Sequence, residues 1–565
     1  MIGHFATGAD VAAPPPPTDR ADGGNETHHS GGGNVPSCST TATPAEMDAT
    51  NDYDLLPYPS MPIAYTQPAH LAALATLFGI VPPAAECARV LELGCASGGN
   101  IIPLAARFPE ASFLGIDLSQ RHIADGRDRI ATLGLENVRL EQGDLTTLDL
   151  AGVEFDYIIC HGVFSWVPKP VQDAILRLCD EVLAPNGVVT ISYNVLPGWH
   201  LRSAIRDLCL RYAGKDGTPQ RRVARARAAL AQIAEASDDA EPYGLLMRTE
   251  ARRLKNVPAS YILGEFLAPE NNPCHVQDFI EQAADHGLDF LCEADLLAAV
   301  PPTLNADIRS RVTSFADANR SGAEQDIDFL TGRLFRRSVL VRRQQSTDLP
   351  RAPGPDRLRS LHVSLPLRLD VARTTEQATV FTDDHGRPVT ISNPAVTAAM
   401  TRLAEAYPAT LAVQELTAST SPGPGDDERI RQAIFSMVLA GRATLSVLPL
   451  RPGQGDHERP TAWAVARTEA ASGQPWVTGL HHTGVPARPI LKLLLPCLDG
   501  THDRAALRAR LADALQRGIV RVPELPLDRD PPPFERLAVI AGQYVEQTLR
   551  YFAHQALLKP DREPA

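Results

Sequence analysis

Val90-Leu91-Glu92-Leu93-Gly94-Cys95-Ala96-Ser97-Gly98-Gly99-Asn100 is the stretch that decides the fold. The apolar run from Arg89 to Leu93 ends in small residues, and an amphipathic segment, Ile101 to Phe108, follows at once. This reads as a buried parallel strand, a tight turn and a helix N-terminus, an arrangement that lets a ligand approach the backbone closely. The small residues fall as G-x-A-x-G-G and do not fit the dinucleotide fingerprint G-x-G-x-x-G. Glu92 stands two positions before the first glycine. Its carboxylate would repel a pyrophosphate but would hold the cationic amino-acid end of S-adenosylmethionine. Taken alone, the turn also fits any tight strand-to-helix connection of a Rossmann-like sheet.

Two later acids favour the methyl-donor reading. Phe113 to Asp117 reads as a second buried strand ending in a carboxylate, placed for the ribose hydroxyls. Val138 to Asp144 reads as a third, with Asp144 placed for the adenine amine. A lone Asp at a strand end is usually a helix N-cap. Acids recurring at the length of one strand–helix unit instead line a single crevice of a doubly wound sheet.

The chain has 565 residues, room for two to four domains. It is 44% hydrophobic with a formal charge of -13, which argues against general nucleic-acid binding. The nine cysteines form no C-x-x-C pair, so reduced packing thiols and no structural metal are expected. The start, Met1 to Phe5, does not read as a signal peptide, and no window has the apolar length of a membrane helix. A cytoplasmic location follows as the expectation.

Residues 1–52 are low in complexity and read as a disordered tail, with His28, His29 and Cys38 incidental. Order is expected from near Tyr53. A helix from Pro68 to Phe78 precedes the first strand, and its approach could lie over the cofactor crevice. The donor-binding core is expected over 53–200. Its fourth strand, Phe155 to Cys160, ends in His161-Gly162-Val163-Phe164-Ser165-Trp166-Val167-Pro168. Its fifth, Val188 to Tyr193, is followed by Asn194 to Trp199. These strand ends should present His161, Phe164, Trp166, Tyr193 and Trp199 over the sulfonium. They hold no Asn/Asp-Pro-Pro-aromatic clamp, which counts against adenine, cytosine and glutamine-amide methylation.

Residues 201–274 read as a helical insertion, with Val223, Ala226, Leu230 and Ile233 on one face. Arg221, Arg222, Arg225 and Arg227 around them read as a solvated face. The apolar runs Leu288 to Leu291 and Ser338 to Val341 look like the strands that close a seven-stranded sheet, over 275–343. Residues 344–356 form a linker. Helices at Pro394 to Tyr407 and Asp427 to Leu439 with a strand at Ala443 to Leu448 give a winged-helix-like domain, 357–450. A C-terminal domain, 451–565, holds Leu498-Asp499-Gly500 and a last helix from Phe534 to Leu557.

Glu92 to Asn100, His161 to Pro168, Tyr193 to Trp199, Asn272-Pro273, Gly287 to Leu291 and Glu324 to Phe329 resemble class I S-adenosylmethionine methyltransferases that carry the methyltransferase regulatory domain. The Leu498-Asp499-Gly500 element extends the resemblance to the rickettsial-type protein-lysine methyltransferases of outer-membrane proteins. The resemblance implies an α/β fold with a Rossmann-like seven-stranded sheet, a helical insertion able to dimerise, and C-terminal winged-helix-like α+β domains beside a substrate groove. It departs from the family pattern at Gly264, where a histidine is expected, and near Val276, where aromatics are. Glu92, Gly94, Ala96, Gly98, Asn100, Asp117, Leu118, Asp144, Leu145 and His161 are the expected donor-binding residues. His161, Trp166, Tyr193 and Trp199 are the expected catalytic ones. His161 would accept a proton directly or through water, or serve only as a hydrogen-bonded structural histidine. The aromatics would hold an amine by cation–π contact or simply pack.

The expected activity is methyl transfer to a lysine of a protein acceptor. The rivals are a small-molecule methyltransferase of secondary metabolism and a non-catalytic donor-binding sensor. On the lysine reading the C-terminal part serves the acceptor, so removing residues 357–565 is expected to leave donor binding nearly intact.

Overall fold

The computed structural model describes residues 60–238, 240–296, 320–346, 349–350, 352–420, 423–523, 525 and 534–560. The tail expected over 1–52 and the start of order near Tyr53 lie outside them. The chain divides into two units: residues 60–207 with 268–560, and residues 208–267.

The larger unit opens on α1 (Pro68–Phe78), whose Leu71, Ala72, Ala73 and Leu74 are at most 1% exposed. β1 (Arg89–Leu93), α2 (Ile101–Arg107), β2 (Ser112–Asp117), α3 (Gln120–Leu133) and β3 (Val138–Gln142) follow. β4 (Phe155–Cys160), α4 (Lys169–Val182) and β5 (Leu183–Asn194) come next. After the 208–267 segment the chain returns to the same sheet with β6 (Leu288–Glu293) and β7 (Phe335–Arg342). The strand order is β3-β2-β1-β4-β5-β7-β6. β1 to β5 run parallel and β7 lies antiparallel between β5 and β6. The seven-stranded Rossmann-like sheet is therefore as expected, including the two late strands that complete it.

Apolar residues on both faces explain the burial of the central strands. Val90, Tyr157, Ile159, Val188 and Val339 face one core, and Leu91, Leu93, Ile158, Val189 and Leu340 face the other. Strand 3 stops at Gln142, two residues short of expectation, which leaves Asp144 in the following loop. As an edge strand it alternates buried and exposed residues.

The first core does not end with the sheet. It continues through Leu358, Val363, Phe381, Met400, Ile434 and Leu445. α1 is stitched to that region by the Val447 amide donating to Ala69 O (3.1 Å) and by His70 on Leu445 O (3.2 Å). α1 and residues 358–445 bury one continuous apolar cluster, which sets the fold against the expectation that residues 357–565 are dispensable for donor binding. The region holds helices Pro394–Ala406, Val413–Thr420 and Asp426–Leu439 and two small three-stranded sheets. A second core spans Ala462 to Leu558 and includes the long helix Phe534–His554.

In the smaller unit, helices Pro219–Ala236, Pro242–Leu254 and Ala259–Phe266 bury Val223, Ala226 and Leu230. Ile233 is only half-buried. Thr218 caps the first helix, and Arg227 donates to Val257 O (2.7 Å). Arg253 joins Glu250 and Tyr261. Arg221 and Arg225 are exposed, while Arg222 and Arg227 are half-buried, so the solvated face holds for only two of the four arginines expected on it.

Candidate donor and acceptor site

The turn after β1 is where glycine is required. Gly94 has φ 75°, and a Cβ there would stand 2.3 Å from Val163 Cγ2. A Cβ on Gly99 would stand 2.2 Å from the Ser60 carbonyl. Between them Ala96 is held at φ 48°, a strained conformation for a residue with a side chain. Asp117 at the end of β2 fixes it: Asp117 Oδ2 accepts from the Ala96 amide (2.8 Å) and Oδ1 from the Ser119 amide (2.9 Å). Gly98 also has positive φ, 73°.

Glu92 and Asn100 lie beneath this turn, 4% and 5% exposed. Asn100 Nδ2 donates to Glu92 Oε1 (2.8 Å). Glu92 Oε2 is buried with no partner, and burial, with the nearby Asp117 charge, pushes the carboxyl pKa up to about 8. A buried acceptor without a donor is costly. The ammonium of the donor's amino-acid end would satisfy it. Leu118, after the ribose acid, is 66% exposed and free to pack on a ring, while Leu145 is 8% exposed and belongs to the core. Asp144 is exposed, and its Oδ1 accepts from the Thr146 amide (2.9 Å) and hydroxyl (2.7 Å), which hold its pKa below the usual carboxylate range. Glu92, Gly94, Ala96, Gly98, Asn100 and Asp117 are thus brought together around one turn, and the residues fit the donor.

Sequence reasoning left open how the approach to α1 sits. It crosses the turn: Ser60 Oγ accepts from the Gly99 amide (2.7 Å), and the Ile63 amide (2.9 Å) and Thr66 hydroxyl (3.1 Å) both donate to Asn100 Oδ1. On the same strap, the Tyr65 hydroxyl meets His161 Nδ1 at 2.8 Å. Phe335 and Arg337, at the start of β7, complete this second cluster. His161 and Phe335 meet edge to face at 6.0 Å, and the Arg337 guanidinium lies 4.6 Å over the Tyr65 ring and 5.4 Å from that of Phe335. All four are half-buried. Burial and the Arg337 charge hold the His161 pKa well below its usual value, and burial raises that of Tyr65 to about 12. Both side chains are therefore neutral near pH 7.

The other expected aromatics divide. Trp166 is half-buried and meets Trp199 edge to face at 6.0 Å. Trp199 and Tyr193 are each 1% exposed. Tyr193 stacks on Phe279 at 4.0 Å, and its hydroxyl bonds Ser338 Oγ at 2.9 Å. Tyr193 and Trp199, expected as catalytic, are thus enclosed in packing, whereas Trp166 keeps partial exposure. Sequence reasoning missed Tyr65, Phe335 and Arg337. Sheet topology brings β7 beside β5, and no local spacing signals that meeting.

Comparison with known proteins follows the same division. A methyltransferase-domain family model matches residues 90–187. A model described as a predicted methyltransferase regulatory domain matches 258–342, and one described as the C-terminal winged helix domain of PKMT matches 458–557. The winged-helix match falls on the region expected only as a C-terminal domain, and not on 357–450. An uncharacterised protein of Rickettsia prowazekii is 30% identical over 495 residues, covering 85% of this chain and 88% of that protein. A second from the same organism is 37% identical over 232 residues, 41% of this chain and 93% of that one. Among solved structures, PKMT2 of Rickettsia typhi in complex with AdoHcy superposes with a TM-score of 0.79 at 25% identity, covering 89% of this chain and all of that one.

Proposed function

We propose that this chain, which belongs to the rickettsial-type S-adenosylmethionine-dependent methyltransferases, transfers methyl groups to lysine side chains of a protein acceptor. It is an enzyme and its cofactor is S-adenosylmethionine. The observation that carries the acceptor is the half-buried cluster of Tyr65, His161, Phe335 and Arg337 beside the donor turn. The likeness to a PKMT over most of the chain supports the same reading.

When bound, the cofactor supplies an electrophilic methyl group on a sulfonium. The amine nitrogen bonds to the methyl carbon as the carbon–sulfur bond breaks, and S-adenosylhomocysteine leaves. This requires a neutral amine. Burial in the cluster, together with the Arg337 charge that Asp295 at 3.6 Å offsets in part, disfavours a second cation there, so an entering lysine loses its proton more readily. Tyr65 and His161 then offer neutral groups whose acceptor lone pairs can take the amine N–H bonds, leaving the nitrogen lone pair free for the methyl carbon. Alignment is the main contribution of the protein to a displacement of this kind.

A second reading, a small carboxylic acid as acceptor, takes its support from Arg337, which could also hold a carboxylate. The two separate in one assay. Full-length protein is incubated with methyl-labelled donor and a cell-envelope extract, and labelled protein is hydrolysed to amino acids. Label recovered as methyl-lysine is the expected result, and label confined to small molecules installs the second reading. Among the described residues no helix is long and apolar enough to cross a membrane. We place the reaction in the cytoplasm.

A further inference from the structure

Far along the chain, residues 476–486 form a two-stranded hairpin, Trp476–Thr478 with Gly484–Pro486. Its tip comes back to the donor turn. His482 is 2% exposed and held at φ 58°. Its Nε2 lies 2.8 Å from Asn100 Oδ1. The Ile63 amide donates to that same oxygen, so Oδ1 is the acceptor and His482 Nε2 must carry the proton. The neighbouring residues of the tip are anchored too. Arg107 donates to Leu480 O (2.8 Å), Gln67 to His481 O (2.9 Å), and His481 Nε2 meets Pro408 O (2.7 Å).

We infer that His482 is a positioning residue for the donor's amino-acid end, acting through Asn100 on Glu92. Three donors converge on Asn100 Oδ1, so the amide cannot turn over, and Nδ2 is left facing Glu92 Oε1. That bond fixes the carboxylate with Oε2 free and turned to the ligand. His482 suits the position because burial keeps it neutral, with its pKa lowered to about 3, so a donor N–H is always present and never brings a charge beside Glu92. Histidine also tolerates the left-handed backbone better than most residues. The donor site is therefore finished by a side chain some 380 residues from its turn. The inference stands on donor binding alone and is indifferent to which acceptor takes the methyl group.

The test compares two ligands by calorimetry on the full chain. S-Adenosylhomocysteine has the amino-acid end, and 5′-methylthioadenosine lacks it. In His482→Leu the first should bind about tenfold more weakly and the second as in the wild type, the loss of one hydrogen bond to a buried network. His482→Gln, which returns an N–H at similar reach, should restore most of the loss. Adding His482→Leu to Asn100→Ala should cost nothing further, because the bond it removes is already gone. If both ligands weaken equally, His482 only holds the fold, and the inference fails. Unchanged binding of both overturns it as well. Should His482→Leu not fold, His482→Met, which also lacks an N–H at that position, carries the same demand: selective loss of S-adenosylhomocysteine supports the inference, and equal loss of both ligands ends it.

Discussion

Asn100 and Glu92 are at most 5% exposed, and Asn100 alone takes part in four hydrogen bonds that tie together the strap, β1 and the distant hairpin. Tyr65, His161 and Arg337, at the same edge of the sheet, are half-buried; the Tyr65 hydroxyl bonds His161 and Arg337, and Arg337 pairs with Asp295 at 3.6 Å. The donor half is enclosed and the acceptor half is open to solvent on one side. A donor that never varies rewards a preorganised cradle, whereas an acceptor that arrives on a protein surface needs room to enter. The contrast also separates the mutational effects. Changes under the donor turn should strike affinity, and changes in the acceptor cluster should strike turnover.

The largest effect should come from cutting the C-terminal part away. Removing residues 357–565 strips Leu358, Val363, Met400 and Leu445 from a cluster they share with α1 and the sheet, and removes His482 and Glu469 as well. Glu469 pairs with Arg129 on α3 at 3.1 Å, and Arg129 in turn donates to Ser97 O in the donor turn (3.2 Å). The truncated protein should be insoluble or lose cooperative melting, and should not bind donor. A soluble, cooperatively melting fragment with full donor affinity would show that the shared core contributes little.

The next effect is sensitive to pH. Glu92→Gln should weaken S-adenosylmethionine by about 10- to 150-fold, the range for a hydrogen bond to a charged group. Only the ionised carboxylate attracts the ammonium, which itself loses its proton at about pH 8, so wild-type affinity should rise towards about 8 and fall above it, while Glu92→Gln should lack the rising limb. Stability of the ligand-free protein should run the other way. A carboxyl whose folded pKa is raised stabilises the fold below its ordinary pKa, and that contribution is lost as pH rises through about 8. Melting temperature should therefore fall over that interval in the wild type and fall less in Glu92→Gln. Affinity that does not change with pH would mean the carboxylate does not face the ammonium.

The two halves also differ in how far the sequence revealed them. Glu92, Gly94, Asp117 and the apolar strands before them are local patterns, because strand, turn and helix in a parallel sheet follow one another along the chain. The late strands at Leu288 and Ser338 were legible as apolar runs, although they extend to Glu293 and over Phe335–Arg342. The acceptor cluster was not, since Tyr65, His161 and Arg337 come from segments that only the sheet order brings together. His161 and Trp166 stood out as a histidine and an aromatic at a strand end, but Tyr193 and Trp199 carry the same signal and are core. Residue type alone does not separate an aromatic that lines a mouth from one that fills a sheet. His482 gave no signal, as a left-handed hairpin tip meeting a remote asparagine leaves no spacing to read.

The smallest effect tests the acceptor half at the Tyr65 hydroxyl. Tyr65→Phe keeps the ring under Arg337 and removes only the hydroxyl, which meets His161 at 2.8 Å and also bonds Arg337. Net contributions of such a bond are about 0.5–1.5 kcal/mol, which corresponds to about 2- to 10-fold. Because Tyr65 makes no hydrogen bond to Glu92, Asn100 or Asp117 among the described residues, donor affinity should stay at the wild-type value. His161 would then be free to turn, and the loss should appear in turnover with the protein acceptor, measured with saturating donor. A drop in donor affinity equal to the drop in turnover would show that the strap, and not the His161 contact, is what the hydroxyl supports, and the division between an enclosed donor half and an open acceptor half would no longer hold at Tyr65.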